Sequence, residues 1–225
     1  MSGLLPALLP LIIGSAVVPI QLVITVLLLG GPGGRSVAAG WIAGMTTVRL
    51  AQGLLFGIVL GAAGVADDPG EASTVESVVL LVLALLFFLM AVKGWLKVPD
   101  EDAPPPAWMT RLEGVSSGRA FLLGAGVIAL AVKSWVFTLG AIGAIEEAGV
   151  GGAAGVAWFV AFVVLAQILH LGLLGVAVAL PDRADVVLGQ FAGGLERHQR
   201  TIVIALGLIF GAWFLLKGLA GLGVL

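Results

Sequence analysis

The chain has no cysteine and little charge: of 225 residues, 11% are Asp, Glu, Lys or Arg, and the net charge is −2. The first absence removes disulfide frameworks, thiolate metal sites and thiol relays. The second leaves no basic surface for nucleic acid and no acidic tail. No basic n-region opens the chain, whose first basic residue is Arg35, so a secretory signal peptide is not expected. Met-Ser-Gly also lacks the glycine directly after the initiator that myristoylation needs. What is present is apolar, with 60% hydrophobic residues and a mean hydropathy of +1.18. No soluble domain of this size has so little to present to water. The composition therefore predicts an all-α integral membrane protein, a single membrane domain over residues 1–225.

A bilayer core takes about 20 mostly apolar residues per helix. Six spans fit, at roughly 4–29, 36–61, 74–97, 119–144, 153–180 and 201–222, punctuated by GGPGG, ADDPGE, PDEDAPPP, EEAGVGG and PDRAD. Arg35, Lys93, Lys97, Arg111, Arg119, Arg183, Arg197 and Arg200 flank the odd-numbered loops, and Lys217 alone falls on the other side. The positive-inside rule then puts those loops in the cytoplasm and both termini outside the plasma membrane. In the Pro-rich loop 98–118, Trp108, Met109, Leu112 and Val115 share a helical face; in loop 181–200, Val187, Leu188, Phe191 and Leu195 do the same. Both read as short interfacial helices, which need do no more than anchor their loops.

The second and fifth spans are alike. Gly40 and Gly155 each precede a Leu-Ala-Gln by the same interval, ending at Gln52 and Gln167, and Lys93-Gly94 and Lys217-Gly218 close the third and sixth. Their shared order predicts a 3+3 repeat. Three helices is an odd number, so the second copy enters from the opposite side, an inverted repeat of the kind that places transporter sites near the midplane.

Polar residues mark that depth. Arg49 lies about 13 residues, or about 20 Å, from either end of its span at 1.5 Å per residue, and Lys133 is similarly central. Each such cation costs about 2.5–3.5 kcal/mol at the bilayer centre. Thr46, Arg49 and Gln52 share one face of the second span, Gln167 and His170 one face of the fifth. Gln21 and Thr25 are one turn apart on the first, just after Pro19, which should disturb that helix and free a carbonyl. No Asp or Glu lies deep in any predicted span; Glu76 comes nearest, toward the outer end of the third. The partners left for Arg49 and Lys133 are backbone groups, water in a cavity or an anionic ligand. In the plainer alternative the cations tie helices together through carbonyls and glutamines, and His170 is satisfied by Gln167 or a carbonyl. Gly53, Gly57 and Gly61 form a row for close helix packing or sliding, as do Gly40 and Gly44. Trp41, Trp95 and Trp213 fit interfacial belts. Phe137 is better placed than Trp135 for a cation–π contact with Lys133.

The chain resembles the GAP or Sap-like (glycolipid- or sulfolipid-addressing) proteins of actinobacteria, placed within the lysine-exporter superfamily. The likeness rests on the Gly-rich first span with Pro19, PAWMTRLEGVSSGRAFLLGAG at 106–126, Lys133, and the closing RHQRTIVIALGLIFGAWFLLKGLAG. That family's fourth span usually carries an Asn-Pro-Lys-Asn-like motif; here Ala131, Val132, Lys133 and Ser134 stand in its place. The missing proline counts against a broken fourth helix, and the missing asparagine removes a ligand-contacting amide. The resemblance implies an exporter-type membrane protein linked to the outward movement of envelope lipids or small amphiphiles.

Together these features predict a secondary transporter, an exporter, for a solute or (glyco)lipid with a carboxylate, phosphate or sulfate. Arg49 and Lys133 would attract the anion, and Gln21, Gln52, Gln167, Thr25 and Ser134 would complete the substrate site. His170 is the candidate for a coupling proton. The alternative is a non-transporting scaffold of an envelope-lipid export system. An enzyme is the weakest class, since buried Asp pairs and Cys are missing and Ser134 has no histidine placed beside it by sequence. No metal and no cofactor are expected, because one His among two cations makes a poor site. Glycine-rich faces suggest a homodimer; the expected partners are membrane lipids and the anionic substrate, not nucleic acid.

Overall fold

The computed structural model describes residues 3–63, 69–96, 109, 112 and 114–224, with side chains described except over 58–63, 69–76 and at 79. The Pro-rich loop and most of the short helix expected after it lie outside these residues, as does the side chain of Glu76. Among the described residues the chain is helical without a strand. Its helices are α1 (Leu4–Ala16), α2 (Pro19–Gly30), α3 (Gly34–Ala63), α4 (Pro69–Leu96) and α5 (Ser117–Leu130), then α6 (Val132–Glu147), α7 (Gly152–Ala166), α8 (Ile168–Ala179) and α9 (Ala184–Gly221). Residues 187–195, expected as a short separate helix, are the first turns of α9. No Pro follows Pro181 to stop that helix.

The stretch Pro181–Gly221 is long and apolar enough to cross a membrane by itself. Three bent pairs would each add a span if each crosses as one, giving up to four among the described residues. They are α1 with α2, bent by 54°, α5 with α6, bent by 72°, and α7 with α8, bent by 59°. Thr46, Thr47, Arg49 and Gln52 interrupt the apolar run of α3.

Two of the breaks have distinct causes. Pro19 opens α2; it has no N–H and pushes Val18 out of the helical region, to φ −111° and ψ 98°. The fourth predicted span, for which the missing proline argued continuity, is broken at Ala131, which is extended at φ −79° and ψ 105°. A side chain takes over there: Trp135 Nε1 donates to the Ala129 carbonyl at 2.7 Å, filling an acceptor that the end of α5 leaves open. Its ring also meets Phe56 edge-on at 5.7 Å. Trp135→Phe keeps the ring but loses the bond, and should lower stability by about 1 kcal/mol, read as a thermal shift in detergent. The third break is a single residue, Gln167, at φ −103° and ψ 4°.

Two compact units divide the chain: Met1–Gly57 with Pro104–Glu196, and Ile58–Ala103 with Arg197–Leu225. In the first, α1 packs on α6 and α7, α2 on α8, and α5 and α7 on α6. α3 lies against α5 through glycines: a Cβ on Gly40 would meet the Ser117 carbonyl, one on Gly44 the Phe121 carbonyl, and one on Gly124 the Trp41 carbonyl. Trp41, Met45, Ala120 and Ile128 close the core beside this seam. The row Gly53, Gly57, Gly61 does not act as a whole. Gly53 abuts the Phe159 ring, Gly57 faces open space, and the Gly61 position lies outside the described side chains.

In the second unit α4 meets the C-terminal part of α9. Gly207 approaches Ala91 and the Phe87 carbonyl, Gly211 the Phe88 ring, and Gly218 Leu81 with the Ser77 carbonyl. Phe87, Phe210 and Phe214 fill the space between, with ring centroids 5.6 to 6.3 Å apart.

Candidate anion site beside the helix breaks

All the residues singled out as a site lie in the first unit. Gln21, Thr25, Arg49, Gln52, Ser134, Gln167 and His170 are buried, and Lys133 is half-buried. Arg49 is 2% exposed, yet its Nε and Nη1 have no hydrogen-bond partner. Neither amide atom of Gln52 has one, nor does His170 Nε2. Arg49 is close enough for its charge to bear on both Lys133 and His170.

A network around Thr25 holds His170. Thr25 Oγ1 contacts the Gln21 carbonyl at 2.9 Å, His170 Nδ1 at 2.7 Å and Trp41 Nε1 at 3.1 Å. The indole can only donate, and the hydroxyl has one proton and two lone pairs. A single assignment satisfies all three contacts: Thr25 donates to the carbonyl and accepts from Trp41 and from His170 Nδ1–H. In the neutral ring that leaves His170 Nε2 as a lone pair, fully buried and unpartnered. Gln167 Nε2 donates to Thr46 Oγ1 at 3.4 Å, linking α3 to the break before α8.

Trp41, read as an interfacial tryptophan, is instead 1% exposed and part of this network. The sequence held one signal for it: eleven residues before Gln52, it shares that residue's helical face. Trp41→Phe removes one donor from Thr25 and should lower stability by about 1 kcal/mol, measured by thermal shift. His170 is held by Thr25 rather than by Gln167 or a carbonyl.

Lys133 sits in the first turn of α6, directly after the break at Ala131. In that turn the Ser134 N–H already donates to the Ala131 carbonyl at 2.8 Å, and the positive end of the helix dipole disfavours a cation placed there. Ser15 Oγ, near the end of α1, is another buried polar atom without a partner. No three metal-ligating side chains gather among the described residues. The site presents donors on Arg49, Gln52 and Lys133, and acceptors on Gln52 and His170.

Bent apolar helices, with one stretch long and apolar enough to cross a membrane alone, define a helical membrane protein. A family model described as Sap, sulfolipid-1-addressing protein, matches residues 8–220, nearly the whole sequence, and the chain belongs to that family. No curated protein and no solved structure matches the chain.

Proposed function

We propose that the chain is a secondary transporter, an exporter of an anionic amphiphile such as a sulfated or phosphorylated glycolipid, working as a lysine-exporter-type protein. The observation that carries this reading is Arg49, a buried cation whose Nε and Nη1 meet no partner. A sulfate, phosphate or carboxylate would take those donors together with Lys133 and the first turn of α6. The bare acceptors, His170 Nε2 and Gln52 Oε1, ask in addition for a hydroxyl on the ligand, which favours a sugar headgroup over a simple anion. The family description, with its sulfolipid, agrees with that chemistry.

Six spans with both termini outside the plasma membrane complete the reading. A 3+3 inverted repeat is supported by one interval: 115 residues separate Gly40 from Gly155, Gln52 from Gln167, and Ala16, where α1 ends, from the hinge Ala131. The first and fourth spans would then be equivalent broken helices, with half-helix N-termini directed at the midplane.

The test is efflux from liposomes loaded with a sulfated glycolipid analogue. Lys133→Ala should reduce the rate at least tenfold while the protein still elutes as a folded species. A full rate in that variant would remove Lys133 from the site. A wild-type protein with no flux in any assay would favour the scaffold role, for which an intramembrane cation has no purpose.

A further inference from the structure

The second unit carries a feature that the anion site does not use. Ala91, Val92, Trp95, Leu96, Ile204 and Leu208 line an apolar groove of about 280 Å³ between α4 and α9. Trp95 and Leu96, at the end of α4, are 68% and 73% exposed. At that same end Arg200 reaches back from α9, donating from Nε to the Gly94 carbonyl at 3.2 Å and from Nη2 to the Trp95 carbonyl at 2.6 Å. Those bonds fix the guanidinium beside the mouth of the groove and satisfy carbonyls that the last turn of α4 leaves open. Lys93 and Arg197 are exposed on the same two segments, with Glu196 the neighbouring carboxylate on α9.

An apolar slot with an indole and a fixed arginine at one end matches one kind of occupant. We propose that this groove holds an acyl chain of an anionic membrane phospholipid whose phosphate rests against Arg200 and Arg197. Trp95 then sits at the level of the glycerol backbone, where aromatic side chains of membrane proteins concentrate. The headgroup meets cations already ordered by the backbone rather than free side chains, so less entropy is lost on binding. Each basic residue at a membrane surface favours an anionic lipid by about fivefold. The proposal is independent of the anion site of the first unit.

The experiment uses the full chain reconstituted in phosphatidylcholine vesicles, titrated with brominated phosphatidylglycerol or brominated phosphatidylcholine while tryptophan fluorescence is followed. Half-maximal quenching should need at least fivefold less of the anionic lipid, and Trp95→Phe should remove that high-affinity component. Arg197→Gln and Arg200→Gln should each reduce the preference about fivefold. Leu208→Phe, which fills the groove without touching charge or adding a fluorescent indole, should abolish it, so the outcome does not depend on one variant folding. Equal quenching by the two lipids would overturn the proposal, the groove then being ordinary lipid-facing surface. So would a Trp95 that neither lipid quenches in a chain that runs as a dimer, since a second copy would then cover the groove.

Discussion

Arg49→Met is expected to make the protein more stable and its ligand binding far weaker. Arg49 is 2% exposed, in the middle of α3, with Nε and Nη1 unpartnered. An arginine at membrane depth costs about 2.5–3.5 kcal/mol, and methionine, a flexible apolar chain of similar length, removes that cost while filling the space. Replacing a buried charge by an apolar residue of similar volume is often stabilising for the same reason. A rise in thermal midpoint in detergent is the expected reading. Binding of a sulfated amphiphile goes the other way, because a desolvated partner of its charge disappears. The loss corresponds to about 2–5 kcal/mol, or roughly 30- to 4,000-fold in affinity. Were Arg49 a tie between helices, the same substitution would lower the midpoint. The sign of the stability change therefore separates the two roles that the sequence left open.

Gly44→Ala and Gly124→Ala should each destabilise by about 1–3 kcal/mol. The added methyl at Gly44 would collide with the Phe121 carbonyl, and at Gly124 with the Trp41 carbonyl. Backbone cannot rotate aside as a side chain can, so α3 and α5 have to separate. Trp41 lies on this seam, and the displacement should also loosen its bond to Thr25. Gly57→Ala is the control: nothing stands within 4 Å of its Cβ position, and alanine is the better helix former by about 1 kcal/mol. Thermal melts of the three variants in one detergent check the contrast.

Much of this was legible in the sequence because it depends on composition and register. Helical character follows from the apolar content, and a close helix approach at Gly40 and Gly44 from their spacing, though not that α5 is the partner. The burial of Gln52, Gln167 and Arg49 follows from their depth in apolar runs. The break at Ala131 was not legible. Proline is the local signal for a break, whereas here an indole six residues along from the acceptor takes its place through Ala129. Such a bond depends on where the two half-helices point, which no spacing records. Trp41 was misplaced for a related reason: a tryptophan near the start of a span suits an interface as well as a buried polar cluster. The pairing of Thr25 with His170, 145 residues apart, is set by the packing of α2 on α8 and has no sequence signature. Residues 187–195 show the opposite case, where an amphipathic pattern is real but continues into a longer helix instead of ending.

The central claim is that Arg49 and Lys133 hold an anionic headgroup. Equilibrium binding of a sulfated glycolipid and of its desulfated counterpart to the purified protein measures this most directly. The account predicts that the wild-type chain prefers the sulfated form by at least a hundredfold. In the variant carrying both Arg49→Met and Lys133→Met the two should bind alike. Equal affinity of the wild-type chain for both ligands, or a preference that persists in the double variant, would contradict it.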